Sequence, residues 1–509
     1  MSLKRNRKIV TEDPNHEGNM IVYEGNTKNG VPHGKGQLTT KMGNNALRQL
    51  FQGKFKEGST YGKGKRNFLI DTIFFIGGDF PTDEKNPFSS FSFFNDNWEV
   101  NSSYASCRYP RSIGKLMFHE HYFYYIGGFD GNRAVPHVER FDIFNGTWEK
   151  MCPLINRRTS FCSFLYDSNI YVCGGLMGSI IHRNIEKYDF RKNKWEIFGS
   201  LAMERSGFMA HVWNDKYYIL GGTSFHENIL PLEIFDLKTK KSMIHTNIIV
   251  SCYYCASALL RINDKPYIFV AGGSPNKYDS NKTTTNRVFS YSIEENSLTE
   301  ISSLHVGRVY CSLVVFHNDL YCMGGHNDNM EYKLPIEKYN FSENKWEKQS
   351  IIPASMSGSS FLAVENYNIS LEGNWKHGHL DGKVIIQTNQ KNIEGRYKNG
   401  KKEGFFDDIY YVNDIPVCYQ QLLWDAKVKK IKNVPDNFKC PISLEIMSNP
   451  VIIETGITFD KECIEEWFVH RNTCPLTRKV VDKKCIPNNI LKTMIQEFIE
   501  KKIRLSQKL

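Results

Sequence analysis

The C-terminal part of the chain gathers side chains that could bind a metal ion. Residues 434–505 contain four cysteines and one histidine, namely Cys440, Cys463, Cys474, Cys485 and His470. Zinc sites of the RING type are built from ligand pairs such as C-x-x-C. Three residues after Cys440 stands Ser443, and three residues after Cys474 stands Thr477, so half of each pair is missing. The spacing therefore argues against a metal, and we interpret these cysteines as small buried apolar side chains.

Short elements are predicted around these cysteines. Residues 451–453 and 457–459 are apolar or β-branched and flank a Thr455-Gly456 turn, which predicts two paired strands. Asp460 is a good N-cap for a helix whose apolar face carries Ile464, Trp467 and Phe468. A second helix is predicted from the apolar stripe that consists of Ile490, Leu491, Met494, Ile495, Phe498 and Ile499.

A RING-like segment without zinc ligands resembles the U-box family. The matching residues are Cys440-Pro441-Ile442-Ser443-Leu444-Glu445, Met447, Asn449-Pro450-Val451, Thr455-Gly456-Ile457-Thr458-Phe459-Asp460, Ile464, Trp467, Cys474-Pro475-Leu476-Thr477 and Pro487-Asn488. The resemblance implies a small zinc-free α+β domain over residues 434–505, with polar contacts in place of the metals and no cofactor. It also implies a ubiquitin-protein ligase whose partner is a ubiquitin-conjugating enzyme loaded with ubiquitin.

The resemblance implies roles for four residues of this domain. Ile442, Trp467 and Pro475 would form a shallow apolar groove for the conjugating enzyme, since such side chains on one face make a binding hot spot. Each could instead belong to the core, above all Trp467, which shares a helix face with other apolar residues. Arg478 would hydrogen-bond both the enzyme and its ubiquitin and hold the thioester ready for attack, which is catalysis by orientation without a covalent intermediate. The alternative for Arg478 is a solvated surface charge.

A repeat organises most of the remaining chain. Paired glycines follow short apolar runs at six places, at Gly77-Gly78, Gly127-Gly128, Gly174-Gly175, Gly221-Gly222, Gly272-Gly273 and Gly324-Gly325. Four of the pairs are followed, at an almost constant spacing, by Trp98, Trp148, Trp195 and Trp346. This pattern resembles the kelch repeat and implies a mainly β fold, with a six-bladed β-propeller over residues 67–367. Because the first repeat is short of strands, we expect the C-terminal run GSSFLAVENY to complete its blade and close the ring.

A shorter glycine repeat flanks this region. Four copies begin at an aromatic or aliphatic residue and continue with glycines two, seven and eleven residues later; they start at Tyr23, Phe51, Leu371 and Ile393. The first two copies add a glycine at position thirteen, where the last two have Val384 and Phe406. The pattern resembles the MORN repeat, a short β-hairpin, over residues 19–66 and 368–410. If the ring closes as expected, the four hairpins would form one sheet. Residues 1–18 are then a basic tail, and residues 411–433 a basic linker with a short helix.

Four arginines precede the first glycine of their pair by the same number of positions: Arg111, Arg158, Arg205 and Arg308. The equivalents in the other two repeats are Ala256 and Tyr61. Equivalent positions in a ring lie on one face, so one interpretation is a basic crown that binds an acidic segment of a protein substrate. The alternative is structural, with each arginine bonding neighbouring loops. The sequence leaves both interpretations open.

Bulk properties limit the class of protein. The net charge is +10, and residues 1–66 carry 13 basic against 5 acidic residues, which favours an acidic surface as partner. We consider an acidic phospholipid at the MORN hairpins, with peripheral membrane association, and expect no nucleic acid. Thirteen scattered cysteines, no secretory signal and no membrane-spanning apolar run favour a soluble cytoplasmic protein. A copper-radical oxidase propeller is not supported, because no metal ligands are clustered in the sequence.

Two functions from different classes compete. In the first, the propeller selects a protein substrate and the U-box brings the loaded conjugating enzyme. In the second, the chain is a non-enzymatic scaffold that links protein partners to an acidic membrane surface. The presence of Ile442, Pro475 and Arg478 favours the ligase. Dimerisation through the U-box is left undecided by the sequence.

Overall fold

A computed structural model of the 509-residue chain provides the fold. It describes residues 4–12, 20–41, 47–57, 59–78, 88–94, 97–101, 105–144, 146–190, 192–225, 230–250, 252–275, 284–351, 356–377, 379–389, 392–399, 401–406, 409–412, 415–416, 434–442, 444, 446–447, 450–488, 490–491, 494–495 and 498. The chain divides into two compact units, residues 1–416 and 417–509. The predicted linker helix lies outside the described residues.

The first unit is built from β-strands. In chain order they are β1 (Lys4–Glu12), β2 (Met20–Lys28), β3 (Val31–Lys41), β4 (Leu47–Lys56), β5 (Ser59–Gly77), β6 (Phe88–Phe94), β7 (Asn97–Asn101), β8 (Lys115–His119), β9 (Tyr122–Ile126), β10 (Val138–Asp142), β11 (Thr147–Lys150), β12 (Cys162–Tyr166), β13 (Asn169–Cys173), β14 (Leu176–Met177), β15 (Ile180–Ile181), β16 (Asn184–Asp189), β17 (Lys194–Ser200), β18 (Met209–Trp213), β19 (Lys216–Leu220), β20 (Pro231–Asp236), β21 (Lys241–Ile249), β22 (Ala256–Ile262), β23 (Lys265–Ala271), β24 (Val288–Ser292), β25 (Ser297–Ile301), β26 (Val309–Phe316), β27 (Asp319–His326), β28 (Pro335–Asn340), β29 (Lys345–Ile351), β30 (Ser359–Lys376), β31 (His379–Gln387), β32 (Asn392–Lys398), β33 (Lys401–Lys402), β34 (Gly404–Phe406), β35 (Ile409–Val412) and β36 (Ile415–Pro416). The predicted mainly β class is therefore confirmed.

Within the described residues, five four-stranded antiparallel sheets follow one another along the chain. Their strand orders are β11-β10-β9-β8, β12-β13-β16-β17, β18-β19-β20-β21, β22-β23-β24-β25 and β26-β27-β28-β29. The paired glycines allow close approach between neighbouring sheets. Gly174 has φ +64°, and a Cβ atom there would lie 2.8 Å from the carbonyl oxygen of Arg205 in the next repeat.

The tryptophans of the repeat pack between these sheets. The indole N–H of Trp195 donates to the carbonyl of Cys152 at 3.1 Å, and that of Trp346 donates to the carbonyl of Ser302 at 2.9 Å. Both rings are buried, and each acceptor lies in the preceding repeat. The tryptophan thus supplies both apolar area and one directional bond between sheets.

A series of backbone hydrogen bonds links six sets of strands. We call its members the collar residues; they are Ile113, Ser160, Gly207, Tyr254, Tyr310 and Gly358, all with φ between +53° and +72°. Five described bonds of 2.8–3.2 Å run from the N–H of one collar residue to the carbonyl of its neighbour in the ring, and one of them joins Ile113 to Gly358. The first and last sets of strands are therefore joined directly.

The ring closes through β5 and β30, as the sequence predicts. Phe361 in β30 pairs with Phe75 in β5, and strands β6 and β7 continue from β5 on its other side. The C-terminal run GSSFLAVENY thus supplies the strand that the first repeat lacks. Because β30 and β5 pair over most of their lengths, the closure rests on a long ladder of backbone bonds.

The glycine-repeat hairpins on both sides of the ring lie in one continuous sheet of order β1-β2-β3-β4-β5-β30-β31-β32-β33. Cross-strand pairing aligns seven positions into a row, which consists of Gly25, Gly36, Gly53, Gly64, Gly373, Val384 and Gly395. Rings of Tyr23 and Phe51 lie over the row, and a Cβ atom at Gly36 or Gly64 would collide with them. Residues 4–12, expected to be a tail, instead form β1, because Ile9 packs against the core of this sheet.

The buried Lys402 side chain links this sheet to the first four-stranded sheet. The Lys402 ammonium in β33 is ion-paired with Asp142 in β10 and donates to the hydroxyl of Tyr122 in β9. All three residues are buried, so the charge pair is shielded from water. The ion pair lowers the pKa of Asp142 even though burial raises it.

The C-terminal unit is small and mixed. It contains a 3-10 turn (Asp436–Phe438), strands β37 (Pro450–Ile452), β38 (Thr458–Asp460) and β39 (Ile486–Pro487), and helix α1 (Lys461–His470). The sheet order is β38-β37-β39, so the two predicted strands do pair. Residues 490, 491, 494, 495 and 498 are helical, and the Asn488 side chain accepts the N–H of Leu491 at 3.1 Å. Ile495 is buried in the core, whereas Ile490 and Met494 face outward.

Candidate functional site

The four repeat arginines lie inside the sheets. Arg158, Arg205 and Arg308 are 0% exposed and Arg111 is 2% exposed. Each is ion-paired with a glutamate further along its own repeat: Arg111 with Glu139, Arg158 with Glu186, Arg205 with Glu233 and Arg308 with Glu337. Each guanidinium also donates to the carbonyl of the first glycine of its pair. This burial contradicts the basic-crown interpretation and agrees with the structural alternative.

The assignment of Ala256 and Tyr61 as equivalents of these arginines is also wrong. The second glycine of a pair donates its N–H to the arginine of the next repeat, as Gly175 does to Arg205. At the same place Gly222 donates to Cys252, and Gly325 donates to Met356. The β22–β23 hairpin is longer than its counterparts. The equivalent residue, Cys252, therefore lies more than 16 residues before the first glycine of its pair. In the first repeat the residue equivalent to these arginines is Met356, which lies just before β30, the strand that closes the ring.

The C-terminal unit carries two loops of the same construction. Loop 1 is residues 440–444 and loop 2 is residues 474–478; both begin Cys-Pro. The N–H of Leu444 donates to the Cys440 carbonyl at 2.8 Å, and the N–H of Arg478 donates to the Cys474 carbonyl at 2.9 Å. Leu444 and Arg478 both have φ +60°. The tight turn therefore projects the third and fifth residues of each loop outward.

Both loops are tied to helix α1. In loop 1 the Cys440 sulfur accepts the N–H of Asp460, the N-cap of α1, at 3.3 Å. Next to loop 2 the Trp467 indole N–H donates to the Thr473 carbonyl at 2.7 Å. The helix thus holds loop 1 near its start and loop 2 near its end.

The loops expose apolar side chains. Ile442 and Leu444 of loop 1 are 37% and 74% exposed, and Leu476 of loop 2 is 56% exposed. Pro475 is half-buried. Trp467 is half-buried as well: it packs against the core, and the Arg471 guanidinium lies 4.7 Å from its ring centre. Leu444 and Leu476 were not among the predicted contact residues, although the repeated Cys-Pro-x-x-x pattern at residues 440–444 and 474–478 is a signal that points to them.

Arg478 follows Leu476 and Thr477 at the end of loop 2. Its side chain is exposed, and among the described residues its guanidinium makes no ion pair. The backbone is fixed by the bond to Cys474, while all five N–H donors of the guanidinium are available to a partner. An exposed cation in the same loop as the exposed Leu476 suits a protein surface that presents both apolar and carbonyl groups.

Cys440 and Cys474 act as hydrogen-bond acceptors. Burial raises the pKa of the Cys474 thiol, but hydrogen bonds from Thr477 and Thr455 lower it more, to about 7. The Thr477 N–H lies 3.5 Å and the Thr455 hydroxyl 3.6 Å from the sulfur. Across the parts of the chain that are described, no group of three or more His, Cys, Asp or Glu side chains is placed to hold a metal ion.

Comparisons with known proteins assign both units. Residues 434–504 match the U-box domain family, and residues 123–363 match the attractin/LZTR1 β-propeller family. The chain therefore carries a U-box domain and a β-propeller domain.

Two relatives that match the U-box are named as ubiquitin ligases. The E3 ubiquitin-protein ligase SPL11 of Oryza sativa subsp. japonica is 42% identical over 69 residues, which are 13% of this chain and 10% of that protein. The E3 ubiquitin-protein ligase PUB22 of Arabidopsis thaliana is 46% identical over 68 residues, 13% of this chain and 16% of that protein. The chain thus spans less than a fifth of the length of these two relatives.

One solved structure is also similar. It is titled "Structure of YjhT", with 14% identity and a TM-score of 0.42, and the match covers 59% of this chain and 94% of that one.

Among the described residues no helix is both long and apolar enough to cross a membrane.

Proposed function

We propose that the protein is a ubiquitin-protein ligase of the U-box type. The C-terminal unit binds a ubiquitin-conjugating enzyme loaded with ubiquitin, and ubiquitin passes from the enzyme to a target without a covalent intermediate on the ligase. One observation carries the proposal: loops 1 and 2 hold Ile442, Leu476 and Arg478 outward from a zinc-free scaffold anchored on α1. The similarity of this unit to curated E3 ligases supports it.

Each loop residue has a separate role in this proposal. Ile442 and Pro475, with the exposed part of Trp467, form the apolar contact with the conjugating enzyme. Arg478 is the catalytic residue, since its guanidinium bridges carbonyl groups of the enzyme and of ubiquitin and holds the thioester in an attack-ready orientation. The αL backbone at Arg478 directs the side chain away from the loop.

The test is an autoubiquitination assay with activating enzyme, a panel of conjugating enzymes, ubiquitin and ATP. Ile442→Ala should reduce chain formation about tenfold or more, since loss of a hot-spot side chain costs about 2 kcal/mol. Ile490→Ala is its matched control, because this isoleucine is 78% exposed and lies outside loops 1 and 2 of the same unit. Arg478→Ala should slow ubiquitin discharge from the conjugating enzyme, while binding of the unloaded enzyme persists. Its control, Lys479→Ala, should change neither the discharge rate nor the binding.

A folded wild-type protein that is inactive with every conjugating enzyme would contradict the ligase. The non-enzymatic scaffold would then be the better description, with the propeller binding protein partners and the U-box inactive. Equal activity of wild type and Ile442→Ala would instead contradict the assigned contact surface alone.

We further propose that residues 67–367 form a six-bladed kelch propeller that recruits the protein substrate, with the collar at the centre of the ring. The flanking hairpins, residues 19–66 and 368–410, are proposed as MORN repeats. Substrates should accumulate on the Ile442→Ala variant in cells, because it would bind target without passing ubiquitin to it. Proteins trapped in this way whose ubiquitination does not fall when the ligase is removed would contradict the recruitment role.

The hairpin sheet is proposed to touch acidic phospholipid, giving a cytoplasmic protein with peripheral membrane association. Its exposed lysines support this, although several already face acids; Lys63 lies 3.1 Å from Glu372 and Lys383 lies 2.7 Å from Glu394. Co-sedimentation with phosphatidylserine vesicles should weaken as salt is added. Binding that is insensitive to salt would contradict an electrostatic contact. Sedimentation analysis of the full chain would show whether it dimerises through the U-box.

A further inference from the structure

The centre of the ring contains a cavity. Strands β8, β12, β18, β22, β26 and β30 surround it, and its volume is about 430 Å³. This volume lies within the range of about 300–1,000 Å³ that is usual for small-molecule sites. All of its lining residues are described, and none of them is Asp or Glu. Any charge on the wall is therefore positive.

Lys115 is the lysine on this wall, and the fold does not require it. It stands two residues after the collar residue Ile113 and pairs with Ile126, which precedes Gly127. Five residues of the other inner strands share this register, each pairing with the residue before a double glycine; they are Cys162, Met209, Ala256, Ser312 and Ser360. All five are uncharged, so the repeat accommodates small or apolar side chains here.

Lys115 lines the cavity, and its charge acts on a histidine of another inner strand. Burial and the Lys115 charge together lower the pKa of His211 to about 4, although a hydrogen bond with Ser257 raises it. His211 is therefore neutral near pH 7, and its ring nitrogen lies 2.8 Å from the Ser257 hydroxyl. Among the described residues the Lys115 side chain has neither a hydrogen bond nor an ion pair, and the residue is half-buried. A cation on the wall of a cavity that has no acidic side chain is available to pair with a bound anion.

Further groups around the cavity complement an anion. The Ser312 hydroxyl lines the cavity and has no hydrogen bond within the part of the chain that the structure describes. At the collar, the rings of Tyr254 and Tyr310 are stacked with centres 4.6 Å apart. Tyrosine is a bulky residue for the αL conformation that both occupy, and such strain is concentrated at ligand sites.

We infer that this cavity binds a small oxyanion, with a carboxylate or phosphate group of the ligand paired to Lys115 and a second polar group within reach of Ser312. The collar tyrosines form one side of the site. The inference goes beyond the proposed ligase function and does not depend on it, because binding can be measured without ubiquitin transfer.

Calorimetry on the full chain tests the site with two probes, inorganic phosphate and succinate, against chloride at equal ionic strength. At least one probe should bind the wild type. Lys115→Met should weaken that binding about tenfold or more, since a hydrogen bond to a charged group is worth about 1.5–3 kcal/mol. Lys115→Arg keeps the charge and should keep the binding. The probe that binds identifies the anionic group.

The control is Lys265→Met, which removes a lysine that pairs with Glu295 and does not line the cavity. Near-UV circular dichroism should show that each variant is folded, and Lys115→Gln replaces Lys115→Met if the latter is not. The inference is overturned if neither probe binds the wild type. It is equally overturned if a folded neutral variant at position 115 binds as well as wild type, or if Lys265→Met loses binding to the same extent.

Discussion

Arginine serves opposite purposes in the two units of this chain. In the first unit Arg158 is fully buried, faces Glu186 and donates to the carbonyl of Gly174. In the C-terminal unit Arg478 is exposed at the end of loop 2, and its backbone N–H is bonded to the Cys474 carbonyl. Both positions stand out in the sequence, the first through its repetition and the second through its place in a motif.

The repeated arginines and the single exposed arginine differ in where their counter-charges come from. A charge repeated once per blade-like sheet meets the same surroundings each time, so its partners are supplied by the repeat itself. The partner glutamates recur at an almost constant spacing after the arginines, which makes the ion pair part of the repeat. Arg478 occurs once, in a loop that also exposes Leu476, and within the described part of the chain it makes no ion pair, so its charge is available to another protein.

The largest expected effect comes from breaking a buried pair in the first unit. Arg158→Met leaves the Glu186 carboxylate buried and unpaired, which should lower the free energy of unfolding of the first unit by about 3–5 kcal/mol. Urea denaturation followed by tryptophan fluorescence measures it, and the U-box activity should be unchanged below the transition.

Two controls sharpen that result. Arg183→Met removes an exposed arginine and should change the free energy of unfolding by less than about 0.5 kcal/mol. The double variant Arg158→Met with Glu186→Leu removes both charges and should recover part of the loss. A loss in Arg158→Met no greater than in Arg183→Met would mean that the ion pair contributes little, and the contrast between the units would fail.

A smaller effect on stability, but a large one on activity, is expected in loop 2. Leu476→Ala removes a side chain that is 56% exposed, so the free energy of unfolding should hardly change. If Leu476 contacts the conjugating enzyme as Ile442 does, ubiquitin chain formation should fall about tenfold. Val480→Ala, 72% exposed just outside loop 2, is the matched control. Unchanged activity in Leu476→Ala would restrict the contact surface to loop 1 and α1.

The smallest effect concerns pH. Because the folded pKa of Cys474 is lowered to about 7 from an ordinary value near 9, the stability it confers is present above the ordinary pKa and is lost as the pH falls through the folded pKa. The C-terminal unit should therefore become more stable between pH 7 and pH 9, and Cys474→Ser should reduce this pH dependence. Thermal unfolding across that range measures it. An identical pH profile in the two proteins would show that the thiol stays neutral in the fold.

Much of the fold could be predicted because its signals are local. Double glycines mark the end of the second strand in each four-stranded sheet, since a Cβ atom there would collide with neighbouring atoms. The pairing of β30 with β5 followed from counting strands in the first repeat. The partner of Lys402 could not be found this way, because Asp142 lies 260 residues earlier in the chain and only packing brings the two together.

In the candidate site too, some features could be predicted from the sequence and others could not. Ile442, Trp467, Pro475 and Arg478 came from the family resemblance, and their presence on loops 1 and 2 and on α1 needed only motif spacing. The exposure of Leu444 and Leu476 and the half-burial of Trp467 required the three-dimensional structure. The equivalents Ala256 and Tyr61 were wrong because a longer hairpin and the closing strand change the register, which no fixed count along the chain can detect.

The sequence by itself determined where strands, turns and loops occur, because glycine conformation, apolar alternation and helix caps depend on neighbouring residues. The tertiary structure alone decided which charges are internal and which face a partner. That outcome depends on the counter-charge and on the exclusion of water at each place. Arg158 and Lys115 are both basic residues in the inner region of repeated sheets, yet the first faces a glutamate and the second an open cavity.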